Sequence, residues 1–150
     1  MIALDKLWDM DLKTIAYHEA GHVVSIRSLG GHAHIRIEEK EGADPLSEKC
    51  FTGRAHALDL PTGLDDLRVV AVAGIAAQML ADDLETAPEE VMEAIELGEI
   101  ELSDTDAEYG VTPEAMERAF EILQSQWEEV EREAQWEIAC FENPHRLEAK

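Results

Sequence analysis

Apolar side chains recur at Leu12, Ile15, Ala16, Val23, Val24 and Ile26 with helical spacing. Asp11 stands where it would cap the first turn, and Gly30-Gly31 where the chain would leave the last. The pattern predicts an amphipathic helix over 12–29. At Ala33 the period changes: Ala33, Ile35 and Ile37 alternate with His34, Arg36 and Glu38 through Glu39, as in a half-buried strand. A polar loop with Gly42, Asp44 and Pro45 leads to a second short strand over Cys50 to Ala57, expected to pair antiparallel with the first. Leu60-Pro61-Thr62 ends this sheet, with Thr62 as the expected N-cap of a helix and Asp65 and Asp66 in its first turn. Leu67 to Leu80 is apolar nearly all round, so this helix should be buried. Its small residues Ala73, Gly74, Ala76 and Ala77 would let it lie close to the first helix.

Further on, Thr86-Ala87-Pro88-Glu89 reads as a capping box that opens a short helix, ended by Gly98 after about Leu97. Ser103-Asp104-Thr105-Asp106 is a polar turn able to cap another helical turn toward Tyr109. Thr112-Pro113-Glu114 opens the last long helix, on which Met116, Phe120, Leu123, Trp127, Val130 and Ala134 make one apolar seam. That seam is expected to pack on its own domain, with any excess length left for an oligomer contact. The segment from Glu142 to Lys150, with Pro144, reads as a frayed tail. There is no internal repeat or linker. The expectation is one domain over residues 1–150 of α+β class and mostly helical, combining one central helix, a small antiparallel sheet and a helical C-terminal bundle.

Charge changes this picture more than composition does. Thirty-four acids against twelve bases give a formal net charge of −22, which argues against binding nucleic acid through phosphates or binding an anionic membrane surface. Up to Arg36, Asp5, Asp9, Asp11 and Glu19 balance Lys6, Lys13, Arg27 and Arg36, so the acidic excess lies beyond. A solvated acidic face is its ordinary meaning. Cys50 and Cys140 are in no metal or redox spacing and read as reduced cytoplasmic thiols. Met1 to Lys13 has no signal-peptide pattern, and the apolar run Val69 to Ala77 is too short to span a bilayer. With no Gly-rich phosphate loop, any proteolysis would proceed without an ATP-driven unfoldase in this chain.

The candidate chemistry is in Tyr17-His18-Glu19-Ala20-Gly21-His22. Histidines four apart on a helix share a face, so His18 and His22 can converge on one metal ion. Glu19 completes the H-E-x-x-H pattern of zinc peptidases, in which the glutamate takes a proton from water while the metal polarises the scissile carbonyl. Gly21 costs about 1 kcal/mol relative to alanine inside a helix, so it marks close approach either of a substrate or strand or of a packed helix. His32, His34 and His56 read as exposed strand or loop residues. A catalytic zinc site has three protein ligands, and spacing alone does not select the third.

The stretch YHEAGHVV, Tyr17 to Val24, resembles the HEAGHAVV signature of peptidase family M41, the zinc-protease domain of FtsH-type AAA proteases. Strands around Ile35 and Phe51-Thr52-Gly53 follow in the family's order, and Val72-Ala73-Gly74-Ile75-Ala76-Ala77-Gln78 resembles its GGRAAEE segment. The resemblance covers roughly residues 12 to 135. It implies one zinc ion held by His18, His22 and a downstream aspartate, best matched by Asp106, with Asp104 as rival because Ala107 replaces the family's leucine. Gln78 stands where the family has a glutamate near the site. The implied function is a zinc metallopeptidase cutting peptides or unfolded protein segments, with Glu19 as general base. An extended substrate would pair with the sheet edge, and an ATP-dependent unfoldase partner or a homo-oligomer is compatible with it. The family's AAA module and membrane anchor are not in this sequence. The alternatives are a non-catalytic zinc-containing regulatory protein that engages a basic partner through its acidic face, and an acidic DNA mimic.

Overall fold

The computed structural model describes residues 3–146. Elements follow in the order α1 (Leu4–Ser28), β1 (His32–Glu39), β2 (Phe51–Asp59), α2 (Leu64–Asp82), α3 (Pro88–Glu96), α4 (Asp104–Ala107), α5 (Pro113–Ser125) and α6 (Trp127–Ala139). The fold is α+β and mostly helical, with one two-stranded antiparallel sheet among the described residues.

The central helix begins two turns before the point that Asp11 suggested. Trp8 continues the i, i+4 row of Leu12, Ala16 and Ala20, and all four are buried. The indole packs edge-on against Phe51 and donates from Nε1 to Glu39 Oε2 at 3.0 Å. Asp11 does not cap the helix; its Oδ2 accepts from the backbone N–H of Cys50 at 3.0 Å and ties α1 to the entry of β2. Tertiary packing has carried the helix through the acids Asp5, Asp9 and Asp11 that interrupt its apolar pattern.

β1 and β2 pair with Ile35 opposite Ala55 and Ile37 opposite Gly53. Gly53 is required where β2 crosses α1. A Cβ there would stand 2.9 Å from Ile15 side-chain carbons and 3.2 Å from Glu19 Cγ. α2 crosses α1 equally closely. A Cβ on Gly21 would lie 2.3 Å from the Ala73 carbonyl oxygen and 2.6 Å from Ala77 Cβ, so the glycine in the motif makes room for a helix, not a substrate. Val69 to Ala77 are buried as their uninterrupted apolar run required.

Three helix ends differ from expectation. The N-cap of α2 is Gly63 in place of Thr62, with no side-chain cap. At α3 the cap is Ala87, whose N–H is bound by Glu90 Oε1 at 3.1 Å, while Thr86 turns inward to donate to the Asp83 carbonyl at 2.6 Å. The last long helix is two helices that meet at Gln126, where φ is −121° and ψ is 29°. Its seam is buried on both sides of the break, but α5 packs on α2 and α6 on α1, and one straight rod cannot follow both. Of the tail expected to fray from Glu142, residues 147–150 lie outside the described residues, whereas its first part is held: Asn143 donates to the Asp5 carbonyl at 2.7 Å and to Asp9 Oδ1 at 3.1 Å. No helix among the described residues is long and apolar enough to cross a membrane.

Candidate metal centre

α1 presents His18 and His22 on the face toward α2, with their Nε2 atoms 3.2 Å apart. The third group comes from α4, eighty-eight residues on from His18. Ser103 caps this single turn by accepting from the Asp106 N–H at 3.1 Å, which aims the Asp106 side chain inward. Its Oδ2 lies 3.1 Å from His18 Nε2 and its Oδ1 3.4 Å from His22 Nε2. Asp104, the rival, is exposed, and Asp106 is buried. His32, His34 and His56 lie along the sheet, where His34 and His56 face each other across the strands.

The protons decide what this cluster is suited to hold. His22 Nδ1 is 2.7 Å from the Val70 carbonyl oxygen, which can only accept, so Nδ1 carries the hydrogen and the neutral ring has its lone pair on Nε2. His18 Nδ1 likewise meets Gln78 Oε1 at 3.2 Å, and its Nε2 also faces the centre as a lone pair. Two lone pairs and a carboxylate therefore converge with no hydrogen between them, an arrangement that only a cation relieves. A proton can also take that place. Burial disfavours a charged His22, yet Asp106, Glu19 and the Val70 carbonyl outweigh it and raise the pKa above the ordinary imidazole value. Burial likewise works against ionised Asp106, but His18 and His22, which donate to it from Nε2 only when protonated, hold its pKa well below the usual carboxylate range.

A zinc ion fits the same place. Nitrogen and oxygen ligands about 2.0–2.1 Å from a tetrahedral ion lie roughly 3.3–3.4 Å from one another, close to the 3.1, 3.2 and 3.4 Å separations here. Space for an ion depends on Gly74 of α2. A Cβ there would stand 2.5 Å from His22 Nε2 and 2.7 Å from His18 Nε2. His18, Glu19 and His22 also offer ligand atoms within 4.8 Å of one another. Asp106 is the better third partner because its two oxygens already straddle both Nε2 atoms.

Glu19 is then left free for other work. It is only 5% exposed, and its Oε2 is buried without a hydrogen-bond partner. Burial raises its pKa, while the charges of His22 and His18 partly oppose the shift. A cleft of about 930 Å³ opens over these groups, lined by residues of α1, β2, α2 and the 99–109 segment.

Two contributors were not legible as functional in the sequence. The Val70 carbonyl carries no side-chain signal at all, and Gly74 read only as a packing residue. The sole sequence sign of Gly74 is a glycine inside an otherwise apolar helix.

A comparison with protein families finds none whose model matches this chain, and no curated protein matches it.

Proposed function

We propose that this protein is a zinc-dependent peptidase that hydrolyses peptides or unfolded protein segments, of the M41 kind that its HEAGH stretch resembles. One observation carries the proposal: two Nε2 lone pairs and the Asp106 carboxylate converge beside a buried glutamate oxygen that has no partner. His18, His22 and Asp106 would hold the ion. Zinc, when bound, would polarise the scissile carbonyl and lower the pKa of water.

The remaining chemistry belongs to the chain. Gln78 and the Val70 carbonyl fix the tautomers of His18 and His22 and leave both Nε2 lone pairs free to take an ion. Glu19, whose burial raises its proton affinity, takes a proton from the attacking water as its oxygen joins the carbonyl carbon. It returns that proton to the departing amide nitrogen when the C–N bond breaks, leaving a free carboxylate and an amine. Both cysteines are free, Cys50 buried and Cys140 exposed, which suits a reducing, cytoplasmic setting.

The test is Glu19→Gln. Metal analysis should find one zinc per chain in both proteins, whereas cleavage of casein or a peptide library should vanish in the variant and in chelator-treated wild type. Cleavage unchanged by Glu19→Gln would refute the proposal. Zinc without turnover in the unaltered protein would favour a structural zinc site in a binding protein.

A further inference from the structure

The cleft above the candidate centre is asymmetric in charge. Of the lining residues contributed by the 99–109 segment, Glu99, Glu101 and Glu108 are all exposed. None of the three shares an ion pair among the described residues. Lys49 and Arg54, at and before the β2 wall, are the cleft's two basic residues, and Asp11 beside them is already engaged by the Cys50 N–H. Glu19, whose Oε2 is buried without a partner, also lines the cleft. The acids therefore border a cleft that has its own reason to receive a ligand, unlike the solvated glutamates of α5 and α6.

Resting on the peptidase reading, we infer that the cleft selects extended polypeptide segments with lysine or arginine close to the bond that is cut, and disfavours acidic ones. β2 pairs with β1 alone among the described strands, so its second edge has no strand partner. In an extended substrate, successive side chains point to opposite sides, and those directed at the 99–108 wall meet carboxylates. A lysine or arginine side chain is long enough to lay its methylenes along Ile100 and Leu102 and keep its charge at the rim. The overall charge of −22 acts in the same direction, drawing cationic chains toward the molecule and repelling anionic ones.

Three fluorogenic peptides that share one apolar core and differ only in flanking residues, basic, neutral or acidic, test the inference on the zinc-loaded protein. At low ionic strength kcat/KM should be at least about tenfold higher for the basic than for the acidic peptide. The ratio should fall toward unity as salt is raised to about 0.5 M and the screening length shortens. Fluorescence anisotropy with the Glu19→Gln protein should give the same order of affinities without turnover. Glu101→Lys and, separately, Glu108→Lys should each shrink the ratio several-fold; the salt titration of the unaltered protein makes the test independent of whether either variant folds. Equal cleavage of all three peptides, a preference for the acidic one, or a ratio indifferent to salt overturns the charge selection and leaves the peptidase reading standing. Cleavage of none overturns the peptidase reading and this inference with it.

Discussion

Adding one methyl group at Gly74 separates the proposed metal centre from the fold around it. The new Cβ would lie 2.5 Å from His22 Nε2, 2.7 Å from His18 Nε2 and 2.8 Å from His22 Cε1. Comfortable carbon contacts are about 3.5–4.0 Å, so the methyl intrudes by about 1 Å on two rings. Neither ring is free to swing away, since His22 is held by the Val70 carbonyl and His18 by Gln78. Overpacking of this kind costs about 1–3 kcal/mol, and alanine in place of glycine returns about 1 kcal/mol of helix propensity. The net change, about 0–2 kcal/mol, should leave Gly74→Ala folded. Zinc binding should suffer far more. Disturbing groups that merely orient ligands weakens metal sites by about 10–100-fold, and here the ligand atoms themselves are displaced, so a loss of at least about 100-fold is expected. Competition against a chromogenic chelator measures that loss. Thermal melts with and without zinc provide the control: the unaltered protein should be stabilised by zinc and the variant should not. A folded Gly74→Ala protein that binds zinc as tightly as the unaltered chain would refute the assignment of the space in front of Gly74 to the ion.

Two further predictions address the third ligand and the helix crossing. Asp106→Ala should weaken zinc at least about 100-fold, whereas Asp104→Ala, at an exposed position, should leave the affinity unchanged; the reverse ranking in a chelator titration would assign the ligand to Asp104. Gly21→Ala drives a Cβ to 2.3 Å from the Ala73 carbonyl oxygen, a backbone atom that cannot rotate aside. Overpacking toward the upper end of about 1–3 kcal/mol, as a fixed backbone atom requires, less about 1 kcal/mol of helix propensity, should leave a cost of about 1–2 kcal/mol and lower the melting temperature by roughly 2–8 °C; an unchanged melting temperature would mean that α1 and α2 are not so closely packed.

Much of the site was legible because it is local. His18 and His22 share a helix face by virtue of their spacing alone, and the apolar row of Leu12, Ala16 and Ala20 already supplies the helix. Alternation in Ala33 to Glu39 declared the strand, and Ser103 declared the turn that carries Asp106. The less legible features depend on partners that no local window contains. Trp8 lengthens α1 because Phe51 and Glu39 receive it. Gln126 breaks the last helix because its halves rest on different neighbours, α2 and α1.

By itself, then, the sequence determined the α+β class and the helix bearing His18, Glu19 and His22, while Asp104 and Asp106 were singled out only through the resemblance to a family. Only the tertiary structure decided which aspartate faces the histidines, since the answer depends on a contact spanning eighty-eight residues. It also decided that Gly21 receives α2 and that Gly74 clears the space before the two imidazoles. The physical reason is the same in each case. Helix and strand periods are set by neighbours a few residues away, whereas a ligand set and the room for an ion exist only where distant segments of chain are brought together.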